Sequence, residues 1–113
     1  METTNGGSPP IEDGTPADFW LYPNFPNPFN AVTMIYFDLP FSSDVQIEVF
    51  DILGKRVVVL RKRRIEARSN AVWLSGKDEV GNLVSSGIYI CRMEARAKDG
   101  SKFLETIKMA LVR

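Results

Sequence analysis

From Phe19 onward the large apolar residues come in short runs, mostly aromatic or β-branched, and each run is soon closed by Gly, Pro, Asn, Asp or Ser. That punctuation leaves little room for a helix, which needs an apolar stripe of period near 3.6 sustained over about ten residues or more. Val45, Ile47 and Val49 alternate with Gln46, Glu48 and Phe50, the period of a strand with one face on a core. The turn Asp51-Ile52-Leu53-Gly54 and the run Val57 to Leu60 follow, and together they read as a hairpin in which Gly54 takes positive φ. Thr33 to Leu39 is another strand, ended by Pro40, which has no N–H to continue a ladder. Asn70, Val72 and Leu74 alternate with Ala71, Trp73 and Ser75, and Gly76 to Gly81 is a polar turn. Ile88 to Ala95 and Phe103 to Val112 are strands joined by a tight turn at Lys98 to Ser101. A short strand at Phe19 to Tyr22 completes a set of about seven. The stretch Val57 to Glu66 makes a poor helix, because its three consecutive valines lose χ1 freedom there and its basic residues leave no clean stripe. The pattern predicts an all-β protein, an immunoglobulin-like antiparallel β-sandwich without the paired cysteines of antibody domains, with a small barrel as the structural alternative.

Charge divides the chain in two. Residues 1–18 carry Glu2, Glu12, Asp13 and Asp18, no Lys or Arg, and many Gly and Pro, so they read as a disordered acidic linker. Since the 113 residues balance 14 basic against 14 acidic groups, residues 19–113 form a mildly basic domain of net charge +4. The absence of histidine removes the commonest general base and zinc ligand, along with every imidazole-dependent triad. No catalytic, cofactor-binding or metal-binding residue is expected. The one cysteine, Cys91, sits mid-strand at an alternating core position and reads as a small hydrophobe. The longest aliphatic run, Val57 to Leu60, is far too short for a membrane-spanning helix. The front of the chain has no basic or apolar leader pattern, so an export signal would have to come from a parent protein.

Few segments offer chemistry. Asp78 and Glu79 lack the spacing of a calcium loop and read as turn residues. Arg61-Lys62-Arg63-Arg64, with Lys55, Arg56 and Arg68, puts seven basic groups in fourteen residues against Glu66 alone. That run suits an anionic partner, but the reading favoured is a solvated hairpin tip whose like charges discourage edge pairing. Nucleic acid is not expected, since no recognition helix or aromatic stacking platform accompanies the arginines. Trp73 falls on the face of its strand opposite Val72 and Leu74 and reads as partly exposed. Most distinctive is Tyr22-Pro23-Asn24-Phe25-Pro26-Asn27-Pro28-Phe29-Asn30, a stiff proline ribbon that Phe25 and Phe29 pin down. It reads as an edge-covering lead-in to the first long strand; a recognition ribbon for a partner is the alternative.

These residues also resemble a known family. Pro23 to Asn30, then Leu39-Pro40, then Val49-Phe50-Asp51-Ile52-Leu53-Gly54-Lys55-Arg56-Val57 are similar to the type A C-terminal sorting domain of type IX secretion system cargo. Gly81 to Tyr89 resembles that family's second turn and Gly-x-Tyr strand start, and Thr106-Ile107-Lys108-Met109 through Arg113 resembles its closing Lys-Met strand. The pattern is shared with the immunoglobulin-like domain of the flagellar hook-capping protein, so it speaks more directly to fold than to function. The chain departs from it at Ala31-Val32-Thr33, at Ala67-Arg68 and at Leu74-Ser75-Gly76, where Trp73 stands one place early. Either the register slips there or the aromatic has moved to the other face.

The resemblance implies a non-catalytic module at the C-terminus of a larger exported cargo. Such a module passes through the periplasm to the cell surface or exterior, is recognised by an outer-membrane translocon, and is often removed by a sortase-like peptidase, here within residues 1–18. The partner-binding residues so implied are Gly87, Tyr89, Lys108, Met109 and Arg113, with Lys108 and Arg113 expected to make polar contacts from an edge or C-terminal strand. Two other classes compete: a structural immunoglobulin-like module of an extracellular enzyme or flagellar cap, and a carbohydrate-binding module using Trp73 and the basic run.

Overall fold

A computed structural model describes residues 14–113; the first thirteen residues of the expected linker lie outside the described residues, and of its last five Pro16 is buried. Among the described residues no helix forms, so none crosses a membrane as a helix. Seven strands run in order: β1 (Trp20–Leu21), β2 (Val32–Asp38), β3 (Ser43–Asp51), β4 (Arg56–Ile65), β5 (Ser69–Ser75), β6 (Gly87–Ala97) and β7 (Lys102–Leu111). They pair antiparallel into a small sheet, β1-β2-β5, and a large one, β4-β3-β6-β7. The β-sandwich expected from the sequence is the one found.

The period of two builds the core. Ile35 and Phe37 from β2 face Val45, Ile47 and Val49 from β3 and Cys91, Met93 and Ala95 from β6, all buried, with Leu74, Met109 and Leu111 closing the layer. Burying each large member contributes roughly 1.5–3 kcal/mol. Cys91 is among the fully buried, as its position in the alternation required, and burial pushes its thiol up to about 12. It therefore stays protonated and inert at physiological pH.

Two turns share one chemistry. In Asp51 to Lys55 and in Asp78 to Asn82 the aspartate Oδ1 accepts two backbone N–H bonds, from Leu53 and Lys55 at 2.9 Å each, and from Val80 at 3.0 Å and Asn82 at 2.9 Å. Gly54 and Gly81 take φ of 86° and 92° at the fourth position, which closes the loop at little steric cost. The carboxylate of Asp78 is thus occupied in shaping its turn.

The basic run does not lie at the hairpin tip. Arg61 to Arg64 belong to β4, an edge strand that runs on to Ile65, while the tip is Ile52 to Lys55. β4 is interrupted twice against β3, between the partners of Ser43 and Val45 and of Val49 and Phe50. At the first interruption Arg64 takes φ 55°, with its N–H on Asp44 Oδ1 at 3.0 Å. Bulges and like charges both discourage pairing at an edge, so the edge-guarding half of the reading fits the place it occupies. A side chain in the left-handed region costs about 1 kcal/mol; Arg64→Gly is expected to stabilise the domain by up to about that much, read as a rise in the denaturant midpoint.

Candidate functional site

β7 is both the last strand and an edge of the large sheet. Of its odd-numbered residues Met109 and Leu111 are fully buried and Phe103 and Ile107 partly, while Glu105 is exposed along with Leu104, Thr106 and Lys108. The backbone of its C-terminal half is claimed by the proline ribbon. Phe29 N–H donates to Ala110 O and Val112 N–H to Phe29 O, both at 2.9 Å, and Asn27 Oδ1 accepts the Ala110 N–H at 2.9 Å. The ribbon's other end is stitched to β2. Phe25 and Met34 exchange backbone bonds, and the hydroxyl of the fully buried Thr33 donates to Pro26 O at 2.8 Å while accepting Asn24 Nδ2–H at 3.0 Å. Among the described residues, Asn24 Oδ1 is the one buried side-chain polar atom without a hydrogen-bond partner. The Phe25–Pro26 and Asn27–Pro28 bonds are cis. Prolines that cannot serve a neighbouring strand thus carry the chain from one sheet to the edge of the other, the lead-in read from the sequence. One detail is corrected: the Phe29 ring is buried and pins the ribbon, whereas Phe25 is 71% exposed and holds the ribbon through its backbone only.

The ribbon stops short of the first half of β7. Because the Ala110 N–H and C=O point away from β6, those of Lys102, Leu104 and Thr106 do so too by the strand period. Among the described residues no strand beyond β6 pairs with β7, although Phe19, next to β1, stacks on Phe103; the Thr106 N–H donates to the neighbouring Glu105 carboxylate at 3.1 Å.

The five residues singled out from the sequence separate by depth. Tyr89 and Met109, direct partners across β6 and β7, are both buried, and the Tyr89 hydroxyl donates to Ser85 O at 2.6 Å. They shape the end of the sandwich and expose almost no side chain. Gly87 is exposed opposite Leu111, and Lys108 is exposed opposite Ile90 on the outer face. Arg113 closes a latch: its N–H donates to Ser86 Oγ at 2.9 Å, its Nε–H to Val84 O at 2.7 Å, and its terminal guanidinium nitrogen to Gly76 O. A Cβ at Gly76 would fall 2.5 Å from that nitrogen, so a side chain there would push the guanidinium aside. Arg113→Ala, which loses both side-chain bonds, should cost about 1–2 kcal/mol and Gly76→Ala, which displaces the guanidinium end, less; the double variant should cost little more than Arg113→Ala, because both act on the same guanidinium. Urea titration of the four proteins checks this.

The pairing of β2 with β5 settles the displaced tryptophan. The ladder is unbroken from Val32 opposite Ser75 to Asp38 opposite Ser69, and Trp73 stands on the outer face, 66% exposed. No bulge interrupts the pairing at that point, and the ring lies outside the core. Sequence reasoning missed the rest of that face, where Trp20, Phe25 and Tyr36 are also exposed, although the alternation of β2 already placed Tyr36 opposite its core residues. It also missed Glu48, half of an ion-pair cluster on the large sheet with Arg56 and Arg92. Among the described residues no group of three or more His, Cys, Asp or Glu is placed to hold a metal ion.

Residues 23–105 match the model of the secretion system C-terminal sorting domain family. The chain belongs to that family. Sorting domains of this kind act as type IX secretion modules, not catalysts, and direct a protein to the cell surface or exterior. Solved structures agree with the fold. FlgD from P. aeruginosa superposes with TM-score 0.58 at 27% identity over 70% of this chain and 61% of that one. Dimeric latent PorU from Porphyromonas gingivalis gives 0.64 at 19% identity over 84% of this chain and 9% of its own, and PorZ, a surface component of the type IX secretion system of that organism, gives 0.53 at 20% over 82% and 11%. The sorting domain thus spans less than two thirds of each of these chains. No curated protein sequence matches it significantly.

Proposed function

We propose that this sorting domain is the targeting tail of a larger cargo, carried through the periplasm and recognised by the outer-membrane translocon of a type IX system. A sortase-like peptidase then releases it within residues 1–18. The observation that carries the reading is the family match over residues 23–105. Support comes from the first half of β7, an edge on which Leu104 and Thr106 are exposed and which pairs with no strand beyond β6; such an edge is a template for an added strand, and Lys108 and Gly87 lie accessible beyond it. Arg113 contributes by holding the end of β7 in place.

Fusing the 113-residue chain behind a reporter with its own periplasmic export signal should bring the reporter to the surface of a host that has this secretion system. Retention in the periplasm would overturn the reading. Thr106→Pro removes an outward donor without touching the ladder to β6, so circular dichroism should be unchanged while surface delivery falls severalfold. Normal delivery of that variant would show that recognition does not use this edge. The rival reading, a structural spacer, is supported by the likeness to FlgD; it expects loss of β7 to lower stability while leaving export intact.

A further inference from the structure

The outer face of the small sheet carries a second surface, on the sheet that does not contain β7. Register lays it out in rows. Trp20, Asp38 and Ser69 form one; Tyr22, Tyr36 and Ala71 the next; Phe25, Met34 and Trp73 the third. With strands spaced about 4.8 Å apart, Phe25 and Trp73 stand roughly 10 Å apart across Met34. An open groove of about 630 Å³ runs over the first two rows, walled by Phe25, Tyr36, Tyr22 and Ser69. That volume is in the range of ligand sites, and leaving so many rings in water is unfavourable unless something stacks on them.

Hydrogen bonding states which ligand. Asp38, buried, accepts the Tyr22 hydroxyl at Oδ2 (2.6 Å) and the Ser69 hydroxyl at Oδ1 (2.7 Å). Both protons are therefore committed inward, and what Tyr22 and Ser69 offer the groove is lone pairs. Among the described residues Asp38 is the only charged one lining it, with no Lys or Arg to offset the carboxylate. Such a wall disfavours anions, which need donors, and suits a ligand that brings its own hydroxyl donors together with flat apolar faces. The basic run of β4 lies on the other sheet and takes no part.

We propose that this face binds a neutral polysaccharide, its sugar rings stacking on Phe25, Tyr36 and Trp73 while its hydroxyls donate to Tyr22 and Ser69. Stacking on aromatic rings supplies the affinity, and the two fixed acceptors supply orientation.

The test is affinity gel electrophoresis of the whole chain in mixed-linkage β-glucan, xylan and galactomannan, with anionic polygalacturonate alongside. Retardation is expected in at least one neutral gel and in none of the anionic one. Phe25→Ala and Trp73→Ala, both at exposed positions, should each weaken binding about tenfold with unchanged circular dichroism. Tyr22→Phe should weaken it less. No retardation in any neutral gel, retardation that survives the Phe25/Tyr36/Trp73 triple alanine variant, or stronger retardation in polygalacturonate would each overturn the proposal. So would sedimentation showing a dimer that the triple variant converts to monomer, since a second copy would then be the occupant. Export of the reporter fusion is indifferent to these substitutions, so the outcome is separate from that of the sorting experiment.

Discussion

Phe29→Ala should lose about 3–5 kcal/mol of stability, the cost of emptying a buried phenylalanine site, and lower the thermal midpoint by roughly 15 °C or more. Phe25→Ala, four residues earlier in the same ribbon, should cost almost nothing. The contrast follows from position alone. Phe29 is 5% exposed, packs with Leu74, Met109 and Leu111 in the core, and its backbone bonds Ala110 and Val112. Removing its ring leaves a cavity at the place where the ribbon meets β7, so the two backbone bonds to the strand lose their anchor as well. Amide exchange at Phe29 and Val112 should then speed up together in the variant, ahead of amides in β3 and β6. Calorimetry on the two variants distinguishes this from a ribbon held equally by both rings.

That contrast also shows what the sequence could and could not reveal. Alternation at Val45, Ile47 and Val49, the breakers at Pro40, Gly54 and Gly81, and the valine run each carry local information, and the strands were found where that information lay. Burial of Cys91 and exposure of Trp73 followed from the same period of two. The depth of Phe25 did not, because no periodicity operates among three prolines in eight residues from Pro23 to Asn30, and only the fold says which ring faces the core. The basic run was misplaced for a similar reason. A strand whose solvent-facing stretch is wholly charged carries no apolar alternation, so β4 seemed to end at Leu60 although its ladder to β3 continues to Ile65.

The candidate site was legible as a segment and not as a surface. Motif likeness pointed to the ends of β6 and β7, which do come together, yet Tyr89 and Met109 lie inward and Arg113 spends its donors on Val84, Ser86 and Gly76. Side-chain type cannot report such long-range hydrogen bonds. Of the five, Gly87 and Lys108 alone stay exposed without being drawn into such bonds through their side chains, beside the exposed Leu104 and Thr106 of the β7 edge.

Removing Arg92 should cost about 2 kcal/mol, and Glu48→Gln should flatten the acid side of the stability profile. Glu48 lies on the outer face of β3, where alternation predicts a solvated residue, but it is nearly buried beneath two arginines. Arg92 reaches its Oε1 at 2.7 Å and Arg56 its Oε2 at 3.3 Å, while the Arg92 guanidinium lies 5.1 Å from the centroid of the Phe50 ring. Arg92→Ala therefore removes a charge-assisted hydrogen bond and a cation–π contact, and strands half of a buried carboxylate. The arginine side chains are 42% and 45% exposed, and solvent screening holds the loss below the roughly 3–5 kcal/mol of a fully buried pair. The hydrogen bond from Arg92 is the chief cause that holds the Glu48 carboxyl below its ordinary 4.5, against the opposing effect of burial and with help from Arg56. A group depressed in the folded state contributes stability that is complete above its unfolded pKa and is lost as pH falls through the folded one. The wild-type domain should thus weaken progressively below about pH 4.5, and Glu48→Gln, unable to titrate, should lose less over the same interval while starting from a lower value at pH 7. Urea midpoints measured from pH 7 to pH 2.5 on both proteins test it, and parallel curves would rule out Glu48 as a source of the acid limb.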